Sequence, residues 1–384
     1  MSNSSQVQFR FLKEVEWGVT PASAMTNLNI TSESLDVNTD TANSEFIRSD
    51  TNLAGVVRTS VTSGGDVGIE LQYGAYDDFL EGALRGAFAT DAGVTASTTI
   101  AAVASGNEYT STAEFGNILV GQFIEVRGFT DPANNGYFKV ITVGSTSSIN
   151  VFSGATLVNE GVGPSVTIKG AFLKNAATDQ SWTLEKEFSD ITQFMSFTGM
   201  RVGVLALTIT PGSIITGTIT FQGKDGTRGT STVGTGGPTA AATTESMNAV
   251  DNVLDVRIDN VLSVNEFVEI SLNMDTKPRS QQAIGNLNNI GVGTGTFEVT
   301  GTMSVYLEDG TLLDKYLNFD NVELSFVTED ALGNAYVFNI PKVNFTAATT
   351  DAGGIDQDVL VPLTFTASYD LTFDGTMGIT RVTA

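Results

Sequence analysis

The hydrophobic positions of the chain fall into short alternating runs, and one run occurs twice. Residues 65–74 (GDVGIELQYG) set Val67, Ile69 and Leu71 on one side of an extended backbone, between two glycines. Residues 301–310 (GTMSVYLEDG), 236 positions later, set Met303, Val305 and Leu307 in the same phase, between glycines at the same spacing. Period-two alternation predicts a strand buried on one face. Each run leads into a helix-like segment, 76–84 (YDDFLEGAL) and 312–317 (LLDKYL). The repetition extends upstream: Ser34-Leu35-Asp36-Val37-Asn38-Thr39 precedes the first run as Ser271-Leu272-Asn273-Met274-Asp275-Thr276 precedes the second. The pattern predicts one unit present twice.

Around these runs the text is strand-like and rich in turns. Val7, Phe9 and Phe11 alternate, and Gly18-Val19-Thr20-Pro21 reads as a turn. Short strands joined by a long mobile loop at 38–55 are expected next, from the mix of Ser, Thr, Asn and Asp. Composition shifts near Ala89. From 91 to 170, runs such as 123–127, 137–141, 149–152 and 166–168 are separated by turn chemistry (Asp131-Pro132-Ala133-Asn134-Asn135-Gly136) and have no counterpart after the second copy. This stretch is expected to be an inserted small β-domain with its ends in surface loops.

Strands are expected again at 182–184, 202–209 and 215–221, and near the end at 359–365. There Pro362 should sit at an edge or between ladder bonds. Residues 223–247 are polar, Gly/Thr-rich and aperiodic, and read as a linker or exposed arm. The expected division is therefore 1–90 plus 171–240 for the first unit, 91–170 for the insert and 241–384 for the second unit.

Composition narrows the chemistry. With 384 residues, 40 glycines, 8 prolines and a charged fraction of 16%, the chain suits a β-rich globular protein. No apolar run is long enough for a membrane-spanning helix, and the first residues (MSNSSQVQFRF) predict no secretory signal. Cysteine is absent, which removes disulfides and thiolate metal sites. Histidine is absent too, which removes Ser-His-Asp and Cys-His catalysis and His-based metal sites. The net charge of −24 opposes nucleic-acid binding.

The candidate motifs are weak. Asp36-x-Asn38-x-Asp40 resembles the start of a calcium loop, but Thr41 stands where glycine is needed and Ile47 where a bidentate Glu is needed. Gly291-x-Gly293-x-Gly295 precedes a strand instead of opening a helix, the wrong context for phosphate. Asp77-Asp78 reads as first-turn helix acids, with Asp78 matched by Asp314 in the repeat, which suits a capping role. No catalytic, cofactor-binding or metal-ligating residue is assigned, no cofactor is expected, and the chain is expected not to be an enzyme.

Phe11-Leu12-Lys13-Glu14-Val15 with Trp17-Gly18-Val19-Thr20-Pro21, then Ser32-Glu33-Ser34-Leu35 and residues 70–81 (ELQYGAYDDFLE), resemble the major tail tube proteins of long, non-contractile-tailed bacteriophages. Residues 121–129 (GQFIEVRGF) with Asn134-Asn135-Gly136-Tyr137-Phe138 are similar to a module carried by such tail proteins. The resemblance implies a mainly β fold: two tandem tail-tube β-sandwich or barrel domains, each with a flanking helix, plus the inserted β-domain on the outside. It implies trimeric, pseudo-hexameric rings stacked into a tube. The tape measure protein would occupy the lumen, DNA would pass without adhering, and tail terminator and tail-tip proteins would be partners. The expected location is the virion tail, assembled in the host cytoplasm, without membrane insertion. Two alternatives stay open from the sequence: another ring-forming virion component (tail tip or capsid decoration), or a carbohydrate-binding adhesin, for which Trp17 and Trp182 offer few aromatic platforms.

Overall fold

Alternating runs bury one face only when sheets pack against something, and here two copies of one sheet pattern pack around a shared core. The computed structural model describes residues 3–152, 156–262, 267–350 and 354–384. The chain is mainly β, with two α-helices among the described residues. In chain order the first copy comprises β1 (Val7–Lys13), β2 (Asp36–Asn43), β3 (Val56–Glu70), α1 (Asp77–Leu84), β4 (Trp182–Phe188), β5 (Gln193–Ile209), β6 (Thr216–Gly223) and β7 (Asp225–Gly229). The second comprises β8 (Val253–Ile258), β9 (Phe267–Asp275), β10 (Glu298–Tyr306), α2 (Thr311–Leu317), β11 (Val322–Glu329), β12 (Ala335–Ala348), β13 (Leu360–Ala367) and β14 (Gly378–Val382).

The copies match pairing by pairing. In the first, β1 pairs with β4, β4 with β5, β5 with β6 and β7, β6 with β3, and β3 with β2, all antiparallel. In the second, β8 pairs with β11, β11 with β12, β12 with β13 and β14, β13 with β10, and β10 with β9, again antiparallel. Even the irregularities coincide. The β4–β5 ladder slips between Trp182 and Leu184, and the β11–β12 ladder between Val322 and Leu324. The β5–β6 ladder slips between Val202 and Val204, and the β12–β13 ladder between Phe345 and Ala347.

The paired glycines explain themselves. A Cβ on Gly65 would lie 2.4 Å from the Ser34 carbonyl oxygen, and one on Gly301 would lie 2.1 Å from that of Ser271. The preceding strand closes onto the backbone there, so no side chain fits. Phe221 stands opposite Gly65 and Phe365 opposite Gly301. One apolar cluster runs through both copies, from Phe9, Phe79, Trp182 and Phe221 to Phe326, Phe338 and Phe365.

Between α1 and β4 lies a seven-stranded sheet whose strands run from Val94–Ser97 to Val166–Lys169. It has its own cluster, including Tyr109, Ile124, Val126, Ile149 and Ile168. A third cluster joins its Phe123 and Tyr137 to Val327, Val337 and Val382 of the second copy. The segment Ala171–Lys174 leaves this sheet and pairs with β14.

Several expectations fail locally. Residues 38–55 are not one loop: Asp36–Asn43 is a strand hydrogen-bonded to the first half of β3, because ladder pairing supplies what its polar sequence lacks in propensity. Residues 223–247 are not a free arm. Asp225–Gly229 pairs with β5, the Val233 amide donates to Glu185 (2.8 Å), Thr239 bridges to Thr26, and Met247 is fully buried. Gly291–Gly293 is a short strand paired with Arg279–Gln281 instead of a flexible approach. Leu307 is 42% exposed, since β10 ends at Tyr306. Neither helix carries a side-chain N-cap bond, so Asp78 and Asp314 are first-turn acids without a capping role. Pro362 meets its expectation: its carbonyl accepts from the Thr349 amide (3.4 Å) just past β12, so its missing donor faces the end of the neighbouring strand.

Candidate assembly surface

Eight strand segments lie side by side without a break: β2, β3, β6, the second half of β5, β9, β10, β13 and the second half of β12. Four come from each copy. The copies meet where β5 pairs with β9, with Leu205 opposite Met274 and Leu207 opposite Leu272. Along the strip one face is apolar and buried, through Val67, Ile69, Ile219, Leu205, Leu272, Met303 and Leu363.

The other face follows from the same alternation. Its positions carry Asp36, Asp66, Glu70, Glu269, Asp275 and Glu298 among threonines and serines; β2, β6, β9, β10 and β13 hold no lysine or arginine, and β3 holds Arg58 at its third residue. Lys277, just past β9, pairs with Glu298 at 2.5 Å. Asp66 accepts from the Thr220 hydroxyl (2.6 Å) and Glu70 from that of Ser246 (2.8 Å). A small-residue, hydroxyl-rich, acidic surface attracts neither apolar nor anionic partners.

The strip ends differ from its middle. β2 pairs with β3 on one side and with no described strand on the other. Residues 344–348 of β12 pair with β13 on one side, and no described strand lies along the other. Unpaired edges are templates for further strands.

Other singled-out residues are structural. Asp77 receives the Tyr336 hydroxyl and pairs with Arg381, tying the start of α1 to the second copy. Burial pushes the Tyr336 hydroxyl well above its ordinary range, with Asp77 adding to the effect. Asp78 pairs with Lys13 at 3.6 Å; burial raises its carboxyl, partly opposed by Lys13. Asp36, Asn38 and Asp40 lie on one strand, where alternate residues are about 6.6 Å apart and cannot wrap an ion; Asp40 instead accepts from Ser60 (2.5 Å). Glu14 was part of the N-terminal resemblance, but its role was not legible from spacing. Nearly buried, it accepts from Ser181, Thr183 and the amides of Gly18 and Gly199, fixing the turn that carries Trp17.

No described helix is long and apolar enough to cross a membrane. A search of curated proteins finds no match to the chain. The family described as phage tail tube protein matches residues 4–367, and the chain belongs to it, as a structural protein of the virion tail.

Proposed function

We propose that three copies of this chain close a ring with six wall segments, and that stacked rings form the tail tube. The observation that carries this reading is the repetition of one strand topology, bulges included, in two side-by-side copies within one polypeptide. Two equivalent wall segments per chain halve the number of chains a six-position ring requires under closed symmetry. The division into residues 1–90 plus 171–240, 91–170 and 241–384 is part of the same reading.

In this arrangement the acidic face of the eight-strand strip lines the lumen. Carboxylates and hydroxyls dominate this face, and Lys277 beside it is already paired with Glu298, so passage is little slowed by counterion-release binding. The same lining accommodates the tape measure protein during assembly, and tail terminator and tail-tip proteins contact the end rings. The 91–170 domain faces outward, since about 80 residues placed inward would block the channel. A chain of net charge −24 repels its copies, so salt promotes assembly. The tip between β2 and β3, where Phe46 and Ile47 are almost fully exposed, is covered when rings stack. Hydrogen exchange at 44–55 then slows in tubes relative to free chains, and equal exchange in both argues against this contact.

Electron cryo-microscopy of the assembled protein tests the reading. Three chains per ring with pseudo-sixfold walls are expected. Six chains per ring, or a bore too narrow for a double helix, overturns it.

A further inference from the structure

One asparagine side chain is only half used by the fold. Asp259 and Asn260 form the two-residue turn between β8 and Val261–Leu262, and both have left-handed backbone (φ 50° and 62°), as a tight hairpin turn of this kind requires. Asp259 stitches the turn to the strand that follows α2: its amide donates to the Glu323 carbonyl (2.8 Å), and its carboxylate accepts from the Glu323 amide (2.9 Å). The turn is therefore held without the Asn260 side chain. That side chain donates from Nδ2 to the Glu323 carboxylate (3.0 Å), while its Oδ1 is buried and accepts from no described group. A buried carbonyl oxygen left unpaired is costly and calls for a reason.

The other oxygen of Glu323 accepts from the Lys139 ammonium (2.5 Å), which comes from the strand Gly136–Ser145 of the inserted sheet. Amine and amide thus meet on one carboxylate. The side chains of Lys139 and Glu323 are only 15% and 14% exposed, and with Asn260 they line a cleft of about 220 Å³ walled by Ile141, Phe152, Pro341 and Phe373. Lys13, Lys174, Lys186, Lys277 and Lys315 also pair with carboxylates, but among the described residues none of those carboxylates holds an asparagine amide. From this juxtaposition we propose that Lys139 and Asn260 become joined by a side-chain amide bond, with Glu323 moving the protons.

The step balances without any co-reactant. Glu323 takes a proton from the Lys139 ammonium, and the freed amine attacks Cγ of Asn260. A half-turn of the Asn260 amide brings the unused Oδ1 onto Glu323, now a neutral acid that donates to it as the tetrahedral centre forms. The Nζ–Cγ bond forms and the Cγ–Nδ2 bond breaks. Two protons from the lysine nitrogen leave with Nδ2 as ammonium, and nothing is oxidised or reduced. Holding the three groups together replaces a bimolecular encounter, and the apolar walls limit competition from water.

The position of the bond gives it a use. The inserted sheet is joined to the rest of the chain through Val94–Ser97 and Val166–Lys169, which are paired neighbours at one edge. Lys139 lies two strands further across that sheet. There the hold on the second copy is otherwise by packing, through Phe123 and Tyr137, and by hydrogen bonds and ion pairs. A covalent tie at Lys139 would keep the inserted domain from being peeled off the wall.

Intact mass spectrometry of the full-length chain, incubated folded at neutral pH, tests the proposal. Most chains are expected to weigh one ammonia less than their sequence, and a proteolytic digest is expected to yield a branched peptide joining residues 139 and 260. Lys139→Arg keeps the charge, Glu323→Gln the shape and Asn260→Gly the left-handed turn; each is expected to restore the full sequence mass. An unsubstituted chain at full sequence mass overturns the bond, and this readout needs no variant to fold. A loss of ammonia that persists in Lys139→Arg, as from ring closure at Asn135-Gly136, overturns it as well. Either result leaves the ring reading where it stands.

Discussion

The two helices occupy matching places in matching copies, yet only one is part of the core. α1 buries Phe79, Leu80, Ala83 and Leu84, and the Phe79 ring lies 4.9–5.4 Å from those of Phe11, Trp182 and Phe221. Gly82 lies so close to the Trp182 indole that a Cβ there would come within 2.3 Å of it. None of the α2 residues is buried. Leu312 and Tyr316 rest partly on the core, Leu317 is 68% exposed, and the helix borders an apolar groove of about 320 Å³ beside Val261, Val305 and Leu307. Two positions differ between the copies: Phe79 of α1 is matched by Lys315 of α2, and Trp182 in β4 by Val322 in β11, beside the same bulge. The two copies share backbone pairing and differ in packing.

The largest expected effect breaks that contrast directly. Trp182→Ala removes the indole that α1 packs on and should cost about 3–5 kcal/mol, whereas Leu312→Ala should cost less than about 1 kcal/mol. Urea unfolding of the two variants compares them, and similar losses would mean that α2 is held as firmly as α1.

A second pair of substitutions tests what the copies share. Gly65→Ala and Gly301→Ala each drive a methyl group into a backbone carbonyl of the preceding strand, so both should destabilise by about 1–3 kcal/mol. If only one does, the equivalence of the two strand crossings is lost. Asp77→Asn comes next. It weakens the tie from α1 to Tyr336 and Arg381, at about 1–2 kcal/mol for a partly buried charged contact. An unfolding midpoint equal to that of the unsubstituted chain would show that the tie is dispensable.

How much of this was legible in the sequence depends on how local the cause is. The twin strands were readable because a glycine forced by a carbonyl and an alternation forced by a buried face both leave marks within ten residues. The looseness of α2 leaves one local mark, Lys315 at the position of Phe79, inside a run (LLDKYL) whose other residues read like a half-buried helix. Most of β2 reads as loop because residues 38–43 (NTDTAN) have little strand propensity and are held by their ladder to β3. Residues 223–247 looked like a free arm for a similar reason, since contacts to Glu185 and Thr26 lie outside any sequence window. The acids of that face stand at alternate positions of β2, β3, β9 and β10 and become a surface only once eight strands are set in register.

The smallest effect concerns charge, and its sign separates burial from pairing. Asp78 and Asp314 are matched first-turn acids, but only Asp78 sits against the core, where burial raises its carboxyl more than Lys13 lowers it. A native carboxyl raised above its unfolded value penalises the charged form in the folded state. The penalty is present at neutral pH and disappears as pH falls through the native value, where the group is neutral in both states. Asp78→Asn should therefore stabilise the chain slightly at pH 7 and leave it unchanged in acid, and the Lys13 pair it removes, being half exposed, should return little. Chemical unfolding at the two pH values decides: a loss for Asp78→Asn at pH 7 would mean that the ion pair with Lys13, and not burial, governs this turn of the helix.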